Sequence, residues 1–286
     1  MKALRKLFFE TKMTWPRVIL FALATAVLTA AIMIIPIFRD TSFENIGVTY
    51  EAWILFALII IMNCDKPLEA GLKTFVFFLI SQPLIYLLQV PFSSAGWELF
   101  DYYGFWFKMT LLTLPGGMIA WFVKKDNLLS ALILAVATGF LGMHLVNFLN
   151  TCIGHFPKYL LSVIFIAAEI VVFILVLLNK NRNRIITAAI TVVVTAIMLV
   201  HSPVDNSGIQ GVMEYYPIES GHVWEISSCE GDLGDAEICE DIKDKVLIYA
   251  KEFGTETITL VNEQGETLVL EVTYNDEAEG LVITEK

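Results

Sequence analysis

Tyr159-Leu-Leu-Ser-Val-Ile-Phe-Ile-Ala-Ala-Glu169-Ile-Val-Val-Phe-Ile-Leu-Val-Leu-Leu178 decides the fold. Apart from Ser162 and Glu169 it is a continuous apolar run. A bilayer core about 30 Å thick takes roughly 20 residues of helix, each rising about 1.5 Å, so this stretch reads as a membrane span. Six further stretches approach the same length and character: Val18–Phe38, Val48–Asn63, Lys73–Val90, Gly104–Val123, Leu128–Asn150 and Ile185–His201. The span Val48–Asn63 is the shortest, closed by Asp65-Lys66-Pro67.

Composition agrees with that reading. Of 286 residues, 56% are hydrophobic and 17% charged, and the mean hydropathy is +0.67. Soluble domains run near about 45–50% apolar and about 25% charged, so a soluble core is excluded as the main architecture. The net charge of −11 argues against nucleic acid as a partner, because phosphate contacts need a basic surface.

That charge is unevenly placed. Residues 202–286 hold Lys243, Lys245, Lys251 and Lys286 against twenty acidic residues, a net of −16, and residues 1–201 carry +5. The change falls at Ser202-Pro-Val-Asp-Asn-Ser-Gly208, a linker composition. The expected organisation is a basic cytoplasmic segment over 1–17, a seven-helix membrane domain over 18–201, a linker over 202–208 and an extracytoplasmic β domain over 209–286.

Lys and Arg give the direction, since positive flanks stay in the cytoplasm. Lys2, Arg5, Lys6, Lys12, Arg17, Lys66, Lys73, Lys124, Lys125, Lys180, Arg182 and Arg184 fall on one side; only Arg39 and Lys158 fall on the other, beside Asp40, Glu44, Glu51, Glu98 and Asp101. The N-terminus is therefore expected inside the cell membrane and the acidic tail outside. Trp53, Trp97, Tyr102, Tyr103, Trp106 and Tyr159 would anchor the outer interface. The first span reads as an uncleaved signal anchor, its apolar run being long and without a small-residue cleavage site. Leu4, Leu7, Phe8 and Met13, interleaved with basic residues, suggest a short interfacial helix ahead of it.

From Ile209 the pattern alternates. Val246–Ala250, Thr257–Val261 and Thr267–Tyr274 are β-rich and divided by turn formers at Phe253-Gly254-Thr255 and Asn262-Glu-Gln-Gly265. Ile258 and Leu260, with Leu268, Leu270, Val272 and Tyr274, are expected on an inner face, and Thr257, Thr259, Glu271 and Thr273 on a wet one. The stretch Ala250-Lys-Glu-Phe-Gly254-Thr-Glu-Thr-Ile258-Thr-Leu260, then Gly265, then Leu270-Glu-Val272-Thr-Tyr274, resembles the closing strands of bacterial Ig-like (BIG-type) β-sandwich domains, and Trp224-Glu-Ile-Ser-Ser228 resembles an earlier strand. The resemblance implies an Ig-like spacer or adhesion module. The expected fold class is thus an α-helical multi-pass membrane protein with a small C-terminal all-β extracytoplasmic domain.

Cys229 and Cys239 lie in the outer domain, where an oxidising environment permits a disulfide. Closing that short loop contributes about 2.7 kcal/mol in the chain-entropy account. Cys64 and Cys152 fall at opposite membrane faces and read as small apolar filler. The carboxylates of Glu230-Gly-Asp232-Leu-Gly-Asp235-Ala-Glu237 do not follow the calcium-loop spacing, so a solvated acidic loop is expected there and no metal.

Glu169 is the sharpest intramembrane residue. A carboxylate at a helix centre costs on the order of 2.5–3.5 kcal/mol on insertion scales and turns toward protein or water. By depth, His144 is its nearer charged candidate partner and Lys108 snorkels outward. Gln82, Thr113 and the expected kink positions Pro83, Pro115, Gly116 and Gly117 fall near mid-membrane too, as do Thr138 and Thr191. Such a layer is how many transporters build their sites, and it is also how ordinary helices pack, with Ala131, Ala135 and Gly139 as a close-packing stripe.

No H-E-x-x-H, G-x-S-x-G or P-loop pattern occurs, so an enzyme is not expected and no cofactor is implied. Two functions stay open. One is an outer domain that binds or senses an extracellular protein or ligand, with the helices as its scaffold in the bilayer. The other is a small-solute or proton-coupled transporter using Glu169.

Overall fold

Proline opens two of the long helices, where its missing N–H and fixed φ cost nothing. The computed structural model describes residues 2–38, 41–93, 96–154, 156–157, 159–201, 212–219, 222–231, 233–238, 245–250, 254–274 and 281–286. Its helices are α1 (Lys2–Phe9), α2 (Trp15–Ile34, Pro16 in the first turn), α3 (Ser42–Val48), α4 (Tyr50–Met62), α5 (Pro67–Gln89), α6 (Tyr103–Ala120), α7 (Leu128–Gly154), α8 (Leu160–Val172) and α9 (Asn181–His201). Six segments are long and apolar enough to cross a membrane, and a seventh results if the pair α3 and α4, bent by 48°, counts as one broken span. The helices and strands form two units, Met1–Val204 and Asp205–Lys286. The expected linker over 202–208 lies outside the described residues.

Two differences from the sequence expectation bear on packing. α5 begins at Pro67 rather than Lys73. Lys73 is buried inside the helix, where its ammonium donates to the Met13 carbonyl at 2.6 Å and to Glu69 at 2.5 Å. A paired lysine can be enclosed where a bare one could not. The other difference is at α1, which is docked rather than lying free: Phe8 is fully buried edge-on against Phe173, and Asn63 donates to the Leu7 carbonyl at 2.8 Å.

Both internal prolines are carried within continuous helices, Pro83 in α5 and Pro115 in α6. A break with a bend of 48° falls at Thr49, between α3 and α4. α5 and α6 approach closely at glycine: a Cβ on Gly117 would lie 3.0 Å from the Gly71 Cα. Small residues also bring α7 against α9. Ala131 and Ala135 are buried, the Thr187 hydroxyl donates to the Ala131 carbonyl at 3.0 Å, and Thr138 and Thr191 share a hydrogen bond of 2.6 Å. Interhelical hydroxyl bonds beside small side chains are how apolar helices associate without a hydrophobic drive.

Asp126, at φ 46°, joins the loop after α6 to the start of α9. Its carboxylate accepts from the Asn179 and Lys180 backbone N–H groups at 3.0 and 2.9 Å and from the Asn183 amide at 2.9 Å. Burial pushes its pKa up, but those three donors and the Lys180 charge outweigh it and hold the group below its ordinary value. A carboxylate lowered on folding stabilises above its unfolded pKa, about 3.9, and loses that contribution as pH falls through the folded value. Asp126→Asn, which keeps one acceptor and tolerates the left-handed backbone, should cost about 1–2 kcal/mol above pH 5. Melting temperatures of the two proteins should begin to converge as pH falls through about 4 and meet only below the folded pKa, which is lower still. A gap that persisted at low pH would remove the electrostatic account.

The second unit contains β1 (Val212–Pro217), β2 (Trp224–Glu230), β3 (Gly234–Ile238), β4 (Lys245–Ala250), β5 (Gly254–Asn262), β6 (Thr267–Tyr274) and β7 (Val282–Glu285). They form two antiparallel sheets, ordered β1-β4-β3 and β2-β5-β6-β7. The β5–β6 register opposes Ile258 to Leu270 and Leu260 to Leu268. Ile258, Leu260, Leu270 and Val272 are buried with Val246, Ile248 and Trp224, so both sheets share one apolar core. Asn262 closes the hairpin by accepting from the Gln264 and Glu266 N–H groups, and Gly265 supplies a φ of 81°. Glu256 is buried on β5, its carboxylate accepting from the Gly234 N–H of β3 at 3.0 Å and so linking the two sheets.

Candidate functional site

The break at Thr49 builds the site. Thr49 ends α3 and precedes α4 in an extended conformation, so α4 starts a new first turn within the helical unit. Across the break the Trp53 indole donates to the Gly47 carbonyl at 3.3 Å, and the Ser162 hydroxyl on α8 reaches the Ser42 carbonyl at 3.4 Å. Glu51 occupies that first turn, 1% exposed. Free N–H groups and the helix dipole favour a carboxylate at this position.

His144 on α7 places its Nδ1 2.9 Å from a Glu51 carboxylate oxygen. Tyr50 packs edge-on to the imidazole at 5.5 Å between centroids, and Phe140 lies at 4.5 Å. Glu169 on α8 is 5% exposed, and neither of its carboxylate oxygens has a hydrogen-bond partner among the described residues. Glu51 borders a small space with Ser162, Phe165 and Ile166 of α8, one turn ahead of Glu169. Four residues later the helix widens into a π turn over Phe173–Leu177, a feature frequent at functional positions.

Depth along single helices points to His144 as the partner of Glu169; the structure pairs His144 with Glu51 instead. Glu51 reads in the sequence as an outer-loop carboxylate and was missed for that reason. The signal that could have found it is Thr49 as an N-cap residue two positions ahead of it, before an apolar helix.

The other polar candidates separate into two groups. Gln82 and Thr113 border a cavity of about 310 Å³ between α4, α5 and α6, together with Gly116 and Gly117. Gln82, Trp53 and Trp106 also border a second cavity of about 250 Å³, which continues along α5 toward Gln89. Tyr50 belongs to the wall of the first cavity and to the packing around His144, so the acidic cluster and the cavity share a residue. Lys108 is exposed on α6 and borders neither cavity, nor do Pro83 and Pro115. Thr138 and Thr191 bond each other between α7 and α9.

Among the described residues no three His, Cys, Asp or Glu side chains converge as metal ligands would. Cys64 and Cys152 are buried. The expected Cys229–Cys239 bond involves Cys239, which lies outside the described residues. In the β unit, Tyr216 donates to Glu285; that bond, then burial, raise the phenol pKa to about 12.

Compared with known proteins, the chain matches no protein-family model, no curated protein and no solved structure. What can be said of its class comes from the fold: a largely helical protein with helices fit to cross a membrane and a C-terminal all-β region.

Proposed function

We propose that this chain is a multi-pass protein of the cell membrane whose helical unit handles a small solute with proton exchange at Glu169. The observation that carries the reading is a buried carboxylate with both oxygens unpartnered, beside a second buried carboxylate held by histidine. A lone acid among apolar helices is costly and is normally retained for what it binds or releases. A broken helix supplying the neighbouring acid is a construction that transporters use at their sites. The helix pairing also accounts for the absence of His144 from Glu169: the histidine holds Glu51, leaving Glu169 open to exchange.

On this reading the Lys and Arg bias sets the N-terminus in the cytoplasm and the acidic β unit outside. The β unit is proposed to be Ig-like, supported by two antiparallel sheets around a common core, and to bind or sense a protein or ligand at the cell surface. Its separate core supports a role as a distinct module, which is the second reading of the function.

Proton uptake into proteoliposomes under an imposed pH gradient, with a panel of small solutes, tests the first reading. The wild type should show a solute-dependent uptake, and Glu169→Gln should lose it while keeping its melting temperature. Equal fluxes in the two proteins would remove Glu169 from the mechanism.

A further inference from the structure

The cavity of about 250 Å³ that runs along α5 carries two polar side chains that the fold leaves unused. Gln82 on α5 and Thr29 on α2 both border it, 7% and 6% exposed. Neither side chain makes a hydrogen bond among the described residues, and neither has its polar atoms sealed off. Buried amides and hydroxyls are nearly always bonded, and each one left alone is unfavourable. Two of them, on two helices of one cavity and both reachable from it, call for an occupant that bonds them. Gln89, about 10 Å further along α5, donates to the Ile85 carbonyl at 3.2 Å and so bonds its own helix.

The wall selects by what it presents. A side-chain amide offers an N–H donor and a C=O acceptor side by side, and a second amide meets both at once. Trp53, Tyr86 and Trp106 supply rings, which pack against another ring in offset or edge-on geometry. No charged residue borders the cavity, so an ionic group would enter without a counter-charge. A hydrocarbon chain would leave the Gln82 amide and the Thr29 hydroxyl unbonded. Water would bond them but not fill the rest well. About 250 Å³ has room for roughly eight waters at about 30 Å³ each, and each requires 2–4 polar partners from a wall that is mostly carbon.

We propose that this cavity binds an uncharged, ring-bearing carboxamide, its amide paired with that of Gln82 and bonded to the Thr29 hydroxyl, its ring among Trp53, Tyr86 and Trp106. Gln82, Trp53 and Trp106 also border the larger cavity between α4, α5 and α6, so the ligand stands where the two cavities adjoin. The inference names the solute class for the unit described above, and its bearing on transport rests on that reading. Binding is read without flux and uses neither Glu169 nor Glu51, so the two fail separately.

Benzamide is the probe, with ethylbenzene as its hydrocarbon counterpart and benzoate as its charged one at neutral pH. Each is titrated into the full chain in phosphatidylcholine nanodiscs and followed by tryptophan emission, against empty nanodiscs as the blank, since Trp53 and Trp106 border the cavity. Benzamide should give a saturable change and benzoate none. Gln82→Leu removes an amide that makes no bond in the free protein, so the melting temperature should stay in place. The variant should bind benzamide at least about tenfold more weakly, the worth of one to two hydrogen bonds, with ethylbenzene unchanged. Thr29→Val, close in volume and lacking the hydroxyl, should weaken benzamide several-fold and carries the test should Gln82→Leu fail to fold. Benzamide and ethylbenzene binding alike, with no effect of either substitution, would overturn the proposal by showing an apolar cleft without selection. Benzoate binding as well as benzamide, or a wild type with no saturable benzamide signal, would overturn it too.

Discussion

Gly71→Leu should leave no folded helical unit, and Gly71→Ala should already cost several kcal/mol. A Cβ built at Gly71 lies 2.5 Å from the Leu114 backbone carbonyl oxygen and 2.7 Å from the Met118 Cγ. Met118 can turn away, but the Leu114 carbonyl moves only if α6 moves. Overpacking an interior that can relax costs about 1–3 kcal/mol, and this contact lacks that freedom because it opposes two backbones. The control is on the facing helix. Gly116 has nothing within 4 Å of an added Cβ, so Gly116→Ala should be neutral or should stabilise by up to about 1 kcal/mol through helix propensity. Detergent-resistance or thermal melting of the three proteins checks the order. Similar melting of Gly71→Ala and Gly116→Ala would show that α5 and α6 do not meet at Gly71.

The second large effect concerns His144. His144→Leu removes the partner 2.9 Å from Glu51 and leaves that carboxylate enclosed at 1% exposure. Breaking a buried pair from one side costs about 3–5 kcal/mol, because the remaining charge is uncompensated. Glu51→Gln keeps the shape and a polar end at the start of α4, so it should cost much less. Adding Glu51→Gln to His144→Leu should then recover most of the lost stability, a coupling that a double-mutant cycle reads directly. Simple additivity in that cycle would mean the two side chains are not energetically joined. A separate variant divides structure from function: Glu169→Gln, which removes no partner, should leave the melting temperature in place while changing proton flux.

Much of the architecture is legible because its signals are local. Tyr159–Leu178 announces a span through its length and apolar content alone, and the structure has helix across it, including the π turn. Thr267–Tyr274 alternates with period two, and β6 has those bounds. Gly265 follows from turn chemistry at Asn262, since only a residue free of Cβ adopts its φ of 81° without strain. The same alternation puts Ile258, Leu260, Leu270 and Val272 on the inner face of their sheet, where they are buried; that Val246 and Ile248 of the other sheet meet them is a tertiary fact.

The site was legible only in part. Glu169 and Gln82 stand out because polar side chains are rare in apolar helices. Glu51 does not, because a carboxylate between two spans looks the same whether it faces water or begins a buried helix. Gly116 and Gly117 look alike in sequence, yet one faces open space and the other the backbone of α5.

The sequence by itself determined the long apolar helices, the strands β4, β5 and β6, the charge divide between the two units and the place of Glu169 within a span. These depend on periodicity, length and composition, which act within a few turns of chain. Tertiary structure alone decided that His144 belongs to Glu51, that a span is broken at Thr49, and that α4, α5 and α6 border a common cavity. Each of these is a relation between residues far apart in the chain, set by how side-chain volumes and unpaired polar groups are reconciled when the helices pack.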